Sequence, residues 1–240
     1  MIRNSSNCLN DLLAPRDMTP VSVQHAARVL YAPVSGDFEV SGLCTSILSE
    51  AELNRSEHFA SEYDKAHFRQ RRAFRRYCGA AAHGSSKPLS QIDFEETENG
   101  RPYLPDLPDV WFSFSSCRLG FLGAWSSTHG IGVDLEDQTR PVDVMELARH
   151  YFSEAEAHAV ERGVGRVRQE IFFQLWSLKE AALKSIGEGL PLGLDAFQFE
   201  LSPSLATVHA PSDYGGAELF TPYRIDGTES CAALVIRNPA

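Results

Sequence analysis

The sequence predicts an α/β fold made of two similar halves, because two patterns recur at one offset. Ser-Glu-Ala-Glu boxes begin at Ser49 and Ser153, 104 residues apart. In such a capping box the serine and the second glutamate bind free N–H groups at a helix start. Phe-x-Gln recurs at Phe68 and Phe172 with the same offset. The shared offset indicates two halves, each with sheet strands and a long helix, and we place their boundary near residues 126–130.

The first half follows an unstructured segment. Residues 1–20 are rich in Asn, Ser, Asp and Pro and show no periodicity, so we expect a flexible N-terminal tail there. The N-terminal half then covers residues 21–126. Its predicted elements are a strand over Ala27–Val34, a helix beginning at Ser49, a longer helix with an apolar stripe over 59–81, and a hairpin of Trp111–Ser115 with Phe121–Trp125.

The second half covers residues 127–240 and starts with a strand over Gly130–Glu136. A second capping box at Ser153 predicts another helix start, and Phe172–Leu190 predicts a helix that Gly187 and Gly189 would end. Four apolar segments predict further strands, with Asp226-Gly227 as the last turn: Ala196–Leu201, Ala206–Ala210, Glu218–Ile225 and Cys231–Arg237.

Composition excludes several classes of protein. The net charge of -10 argues against general nucleic-acid binding, and hydrophobic residues at 43% are ordinary for a soluble globular protein. Five cysteines are scattered without a Cys-x-x-Cys pair, which is typical of reduced thiols and not of a disulfide framework or a zinc site. No apolar run reaches membrane-spanning length, and the N-terminus lacks the apolar core of a signal peptide. We therefore expect a cytoplasmic protein without a membrane partner.

The strand over Gly130–Glu136 carries the first candidate site. Its alternation places Val133 and Leu135 on one side and Asp134 and Glu136 on the other. Two carboxylates on one strand face can reach one small cation, and hard oxygen donors suit Mg²⁺. Asp-x-Glu alone is a weak signal, because exposed strand faces often carry two acids.

The helix over 172–190 carries the second candidate site. Phe173, Trp176, Glu180 and Lys184 recur at steps of three and four, so they share one helix face. An ordinary surface pair of Glu180 and Lys184 would add only ~0.2–0.5 kcal/mol to the helix. We expect instead that the aromatic residues carry the pair toward an interior or a cleft, where a metal or a phosphate would compensate its charges.

Together these two motifs carry a resemblance. Gly-Val-Asp-Leu-Glu at 132–136, followed by Trp-Ser-Leu-Lys-Glu-Ala-Ala-Leu-Lys at 176–184, resembles the signature pair of the Sfp-type 4'-phosphopantetheinyl transferases. Members of that family move phosphopantetheine from coenzyme A onto a serine of an apo acyl or peptidyl carrier protein. The resemblance implies two pseudo-symmetric α/β halves, each a small, mainly antiparallel sheet packed on a long helix, with coenzyme A in the cleft between them. Two fused halves would make a monomer sufficient.

The resemblance also assigns roles to residues. Asp134, Glu136 and Glu180 would hold Mg²⁺ against the diphosphate of coenzyme A, and 3',5'-ADP would leave. Glu180 is the candidate general base, acting directly or through a metal-bound water. Lys184 would contact the phosphates, and Lys179 is a second expected contact.

Further expected contacts with coenzyme A come from the first half. Arg101 lies in a Gly-Arg-Pro turn that is similar to the family's Gly-Lys-Pro turn, although a turn arginine in solvent is the ordinary alternative. The arginines at 69–76 admit a solvated basic face, an RNA-binding arm or phosphate recognition. The acidic chain disfavours RNA, and we expect Arg72 to face coenzyme A, with the others at the surface or contacting the carrier protein.

Two positions depart from the family pattern. A basic residue often found just before the first long helix falls at or near Tyr63 here, with Lys65 as the candidate substitute, and the other departure is at Ser116. Many members carry Ser-His-Ser where this chain has Ser115-Ser116-Cys117, so Ser116 replaces a histidine that contacts a coenzyme A phosphate. A hydroxyl brings no positive charge, and we expect Ser115 and Ser116 to make a weaker contact. Two other hypotheses therefore stay open: a catalytically weakened protein of this fold that binds coenzyme A or a carrier protein, and an unrelated Mg²⁺-dependent phosphohydrolase using the same carboxylates.

Overall fold

The structure of this protein is a computed structural model, which describes residues 15–24, 26–36, 38–84, 87–187 and 192–239. Most of the predicted tail, residues 1–14, lies outside the described residues. Its last residues are part of the fold, because strand β1 (Arg16–Asp17) pairs antiparallel with strand β2 (Arg28–Pro33). In addition, the Val29 N–H donates to Thr19 Oγ1 at 2.8 Å. The prediction of a tail reaching residue 20 is therefore wrong at its end.

The first sheet is antiparallel, with strand order β1-β2-β6-β5. Its other two strands form the predicted hairpin, β5 (Trp111–Cys117) and β6 (Gly120–Ser126), and β3 (Glu95–Glu96) and β4 (Pro102–Tyr103) make a separate short ladder. The helices of this half are α1 (Phe38–Thr45), α2 (Glu50–Glu57) and α3 (Glu62–His83). Phe74 and Cys78 of α3 pack against Phe121 on the sheet, which buries the predicted apolar stripe.

The second sheet has strand order β10-β11-β7, with β7 over Gly130–Glu136, β10 over Phe220–Arg224 and β11 over Cys231–Arg237. Strands β8 (Gln198–Glu200) and β9 (Ala206–His209) pair beside it. The helices are α4 (Val144–Tyr151), α5 (Glu154–Arg162) and α6 (Arg166–Ile186). Gly187 ends α6 with φ 70°, as predicted, while Gly189 and Leu190 lie outside the described residues.

Both predicted capping boxes are present. The Ser49 and Ser153 side chains accept from the N–H groups of Glu52 and Glu156, whose carboxylates accept from the serine N–H groups. Helices α2 and α5 begin 104 residues apart, and so do the long helices α3 and α6. The elements thus recur at the offset seen in the sequence, while a three-dimensional pseudo-symmetry of the halves, and their division at residue 126, stay predictions.

The two sheets meet through β5 and β7. Ser113 Oγ accepts from the Val133 N–H at 3.0 Å, and apolar side chains of both sheets share one core, among them Tyr31, Leu122 and Val133. The other face of β7 packs against α6. Strand β7 therefore lies between the first sheet and the long helix of the second half. Among the described residues no helix combines the length and the apolar character needed to cross a bilayer.

Candidate active site

Two glycines set the distance between β7 and α6. A Cβ atom on Gly132 would lie 1.8 Å from the Ala181 carbonyl oxygen, and one on Gly130 would lie 2.6 Å from that of Ser185. Backbone atoms cannot give way at such distances, so only glycine allows the helix to lie directly on the strand. Because α6 lies so close to β7, its side chains come beside Asp134 and Glu136, the carboxylates that follow the glycines on the same strand face. No role was predicted for these glycines from the sequence, although their alternation with Asp134 places all three on the strand face that packs against α6.

Asp134 is the best-defined group of the site. It is only 4% exposed. Its Oδ1 atom accepts hydrogen bonds from Ser115 Oγ at 2.9 Å and from Lys184 Nζ at 2.7 Å. Its Oδ2 atom is buried and has no hydrogen-bond partner among the described residues. A buried, unpartnered carboxylate oxygen is unfavourable unless a cation or donor from outside the chain binds it.

Two further carboxylates face Asp134. Burial and the negative charge of Asp134 raise the pKa of Glu136 to about 7, although Arg140 and Lys184 oppose the shift. Burial also raises the pKa of Glu180, and Asp134 adds to this shift while Lys184 opposes it. Glu136 and Glu180 thus both feel the charges of Asp134 and Lys184. The predicted roles of these four residues in binding a metal and in catalysis stay predictions.

These residues fit a hard divalent cation by their chemistry. All three offer carboxylate oxygens, the donor type that Mg²⁺ prefers, and Asp134 Oδ2 has a free lone pair. Over the parts of the chain that the structure describes, no three His, Cys, Asp or Glu side chains lie close enough together to hold a metal ion. The cation that contacts Asp134 here is the Lys184 ammonium group.

Glu180 and Lys184 open into a cavity of about 240 Å³ between the halves. Arg101 lines the same cavity, and its guanidinium carbon lies 4.2 Å from the ring centroid of Trp111. Gly187 packs so closely there that a Cβ would lie 2.9 Å from Arg101 Cδ. With Arg75, the cavity thus combines three bases and one acid, an arrangement suited to a phosphate-bearing ligand.

Lys179 is placed differently from the prediction. Its side chain has no exposed surface. The Nζ atom lies 2.8 Å from a Glu156 carboxylate oxygen and donates to the Leu194 and Phe197 carbonyls. A lysine enclosed in this way cannot reach a ligand in the cavity. The expected contact between Lys179 and coenzyme A is therefore wrong, and the residue joins α6 to α5 and to the turn that follows.

Arg72 also lies away from the cavity. Its Nε atom is 3.8 Å from a Glu52 oxygen, and its guanidinium carbon is 5.3 Å from the Phe68 ring centroid. The arginine of α3 that lines the cavity is Arg75, which the sequence analysis left among the surface residues. Arg75 and not Arg72 therefore lines this cavity, and a contact of Arg72 with coenzyme A stays a prediction. The apolar stripe at 74, 77, 78 and 81 put Arg75 at its border, which was the available signal.

Ser115 and Ser116 point to opposite faces of β5. Ser115 holds Asp134, so in this structure its hydroxyl orients a carboxylate of the site. Ser116 is half-buried on the face of Phe112 and Phe114. Its contact with a coenzyme A phosphate stays a prediction.

The chain is similar to known proteins over a segment that includes part of this site. Residues 130–224 match the model of the 4'-phosphopantetheinyl transferase superfamily, and this segment includes β7 and α6. The chain is 33% identical over 138 residues to 4'-phosphopantetheinyl transferase Sfp of Bacillus subtilis (strain 168), which covers 57% of this chain and 60% of that protein. It is 31% identical over 154 residues to 4'-phosphopantetheinyl transferase psf-1 of Bacillus pumilus, covering 64% of each.

A third relative comes from a cyanobacterium. The chain is 31% identical over 117 residues to 4'-phosphopantetheinyl transferase HetI of Nostoc sp., covering 48% of this chain and 49% of that protein. The matched region spans about three fifths of the length of the first two relatives. The chain is thus similar to several proteins named 4'-phosphopantetheinyl transferases, and its residues 130–224 match the model of that superfamily.

Proposed function

We propose that this protein transfers 4'-phosphopantetheine from coenzyme A to a serine of an apo acyl or peptidyl carrier protein, with Mg²⁺ as cofactor and 3',5'-ADP as the second product. The observation that carries the proposal is the close packing of α6 on Gly130 and Gly132. It places Glu180 and Lys184 beside Asp134, within the segment that matches the superfamily. The printed names of the relatives support the reaction type.

In the proposed site Asp134, Glu136 and Glu180 would hold the magnesium ion. Bound there, the ion supplies positive charge that offsets the diphosphate of coenzyme A. Lys184 and Arg101 bind phosphate oxygens from the cavity side, and Ser115 keeps Asp134 in place. Most of the catalytic effect then comes from positioning and from charge compensation, as is general for phosphoryl-type transfer.

The transfer itself needs one proton acceptor. The carrier serine oxygen bonds to the β-phosphorus of coenzyme A while the bond from that phosphorus to the bridging oxygen breaks, and 3',5'-ADP leaves with the bonding electrons. The serine proton passes to Glu180, directly or through a water molecule. Burial raises the pKa of Glu180 in the metal-free protein, whereas a bound magnesium ion would lower it, so transfer of the proton through a water molecule is the favoured route.

Composition and the expected two halves support a proposal for the location, oligomeric state and partners of the protein. We propose that the protein acts as a cytoplasmic monomer on coenzyme A and a carrier protein, without nucleic acid or a membrane as partner. The acidic chain, with a net charge of -10, disfavours a nucleic-acid partner.

A second candidate function rests on Ser116. Because this serine brings no charge where many family members have a histidine, the protein could bind coenzyme A or a carrier protein without efficient transfer. This hypothesis predicts binding of coenzyme A in the absence of product. The intact Asp134, Glu136 and Glu180 favour the enzyme.

Intact-protein mass spectrometry tests the proposal. The protein is incubated with coenzyme A, Mg²⁺ and a panel of apo carrier proteins, with EDTA and a carrier that lacks its acceptor serine as controls. We expect a phosphopantetheine-sized mass gain that requires both the metal and the serine. A folded protein that binds coenzyme A yet modifies no carrier would favour the binding protein instead.

A further inference from the structure

Arg75 is a basic residue of the cavity that no motif assigns. It lies on α3, in the first half, yet it lines the same cavity as Arg101, Glu180 and Lys184. Its guanidinium carbon sits 5.1 Å from the ring centroid of Phe114 on β5. The side chain is therefore held between the helix and the strand, with its charged end at the cleft.

Arg75 continues a row of bases along β5. His67, Arg71 and Arg75 are spaced by four residues, so they lie along one face of α3. His67 Nε2 is 2.9 Å from the Cys117 carbonyl oxygen, at the end of β5, and Arg75 contacts Phe114. Ser116 lies between these two points, on the strand face that it shares with Phe114. The row thus runs past the position where many family members carry a histidine.

The partners of Arg75 do not explain its burial. Its Nε atom is buried without a hydrogen-bond partner among the described residues, as are those of Arg71, Arg72 and Arg76, so the ion pairs distinguish these arginines. Its carboxylate contact is Glu96 at 3.7 Å, and the side chain of Glu96 is 55% exposed, so this ion pair is weak. Burial and the charges of Arg72 and Arg71 lower the pKa of Arg75 to about 10. The Arg75 side chain is 20% exposed, crowded by like charges and weakly paired, which favours an anion from outside the chain.

The adjacent Arg76 shows what a structural arginine looks like in this helix. Arg76 is 2.7 Å from a Glu52 oxygen and donates to backbone carbonyls of residues 89 and 92. Those partners leave Arg76 committed to the fold. Arg75 has no comparable set, although the two side chains start from neighbouring residues.

We infer that Arg75 binds a phosphate group of coenzyme A and supplies the positive charge that a histidine at position 116 provides in many family members. The inference rests on the proposed function for the identity of the ligand. The shared chemistry is phosphate oxygen, and the source is either the diphosphate or the 3'-phosphate. Arginine suits both, because its planar fork can donate two hydrogen bonds to one phosphate.

Isothermal titration calorimetry of the full chain tests the inference. The ligands are coenzyme A, dephospho-coenzyme A, which lacks the 3'-phosphate, and pantetheine, which has no phosphate. We compare Arg75→Gln with Arg72→Gln, a matched change on the same helix away from the cavity. Far-UV circular dichroism and thermal unfolding check that both variants fold.

We expect Arg75→Gln to weaken coenzyme A binding about 10- to 100-fold, as for loss of hydrogen bonds to a charged group. Arg72→Gln should change it no more than about 3-fold. If Arg75→Gln weakens the binding of coenzyme A and of dephospho-coenzyme A by the same factor, Arg75 is assigned to the diphosphate. A selective loss for coenzyme A assigns it to the 3'-phosphate, and pantetheine binding should not change.

A second variant tests the replacement of the histidine. Adding Ser116→His to Arg75→Gln should recover part of the lost affinity, because it restores a donor on the same strand face. No recovery would overturn the compensating role of Arg75. Equal losses in the Arg75 and Arg72 variants, or a loss confined to Arg72→Gln, would overturn the inference as a whole.

Binding and transfer separate this inference from the proposed function. If the wild-type protein binds coenzyme A but modifies no carrier, the proposed function fails while the titration still decides about Arg75. If the protein transfers phosphopantetheine and Arg75→Gln binds coenzyme A normally, the inference fails and the proposed function stands.

Discussion

The two halves of the molecule use one structural device, and the second half adds the three carboxylates of the candidate site to it. In each half the capping-box glutamate that starts a short helix binds a buried base on the following long helix. Glu52 lies 2.7 Å from Arg76, and Glu156 lies 2.8 Å from Lys179. Each base then donates to backbone carbonyls of the turn beyond its helix. The device thus joins two helices and a turn in both halves.

Strands β2 and β7, which lie at the shared offset of 104 residues, differ in their side chains. Residues 134 and 136 of β7 are Asp and Glu, while the positions 104 earlier on β2 are Leu30 and Ala32. Leu30 and Ala32 pack into an apolar cluster with Phe74 of α3. Glu180 likewise falls at the offset of Arg76. The second half therefore has the same helices and strands at this offset. It carries carboxylates at positions that the first half uses for packing or for a structural ion pair.

The comparison also separates two adjacent residues of one motif. Within Trp-Ser-x-Lys-Glu, Lys179 is enclosed with Glu156, whereas Glu180 opens into the cavity. Adjacent residues on a helix point about 100° apart, so one can serve the core while the next serves a cleft. Substitution of Glu180 should therefore lower activity and change stability little, whereas substitution of Lys179 should lower stability.

The largest effect is expected for Glu180→Gln. Removal of a general base lowers turnover about 10²- to 10⁴-fold, while the free energy of unfolding should change little because the amide keeps the shape of the carboxylate. Single-turnover transfer to an apo carrier measures the rate, and urea unfolding measures stability. Full activity in a folded Glu180→Gln protein would remove this residue from the mechanism.

The next effect is on stability and is expected for Lys179→Met. The change leaves Glu156 charged, buried and without its base, so we expect a loss of about 3–5 kcal/mol in the free energy of unfolding. The matched variant is Arg76→Met in the first half. There Glu52 keeps 17% of its side chain exposed and has Arg72 at 3.8 Å, so the loss should be smaller, about 1–3 kcal/mol.

Urea unfolding of Lys179→Met, Arg76→Met and the double variant Lys179→Met/Glu156→Gln measures these losses in the free energy of unfolding. The double variant removes the charge that the single change strands, so it should recover part of the loss. An Arg76→Met protein that loses more stability than Lys179→Met would contradict the comparison between the halves.

Patterns with a strong local cause were predictable from the sequence. The capping boxes at Ser49 and Ser153, the alternation of β7 and the αL ending at Gly187 each depend on a few neighbouring residues, and the structure confirms them. The contact between Asp134 and Lys184 was predictable because the spacing of two motifs carried a family resemblance, while the roles of Glu136 and Glu180 stay predictions.

The roles of individual bases were less predictable. A lysine such as Lys179 or an arginine such as Arg72 has a long side chain that can turn toward a core acid or a cleft, and the partner lies more than twenty residues away or on another element. The sequence does not show where Glu156 or Glu52 ends up relative to the long helices. Arg75 was missed for the same reason, because only the packing of α3 against Phe114 aims it at the cavity.

The smallest effect concerns pH and also distinguishes the halves, because it depends on the carboxylates that β2 lacks. In the metal-free protein, burial and Asp134 raise the pKa of Glu136 to about 7, above its ordinary value of 4.5. The folded state then binds this proton more tightly than the unfolded state. The resulting stabilisation is present in full below about pH 4.5 and is lost as pH rises through about 7, by about 1–3 kcal/mol.

Urea unfolding in EDTA between pH 4.5 and pH 8 measures this loss, and Glu136→Gln should remove most of it because the amide does not titrate. The paired Ala32→Gly change on β2 should leave the pH slope unaltered while it lowers stability at every pH. Addition of Mg²⁺ at pH 8 should raise the stability of the wild-type protein more than that of Glu136→Gln, since a ligand that binds only the folded state stabilises it by mass action. Equal pH slopes in the wild-type and Glu136→Gln proteins would mean that Glu136 does not share the charge of Asp134, and the grouping of carboxylates on which the proposed metal site depends would lose its support.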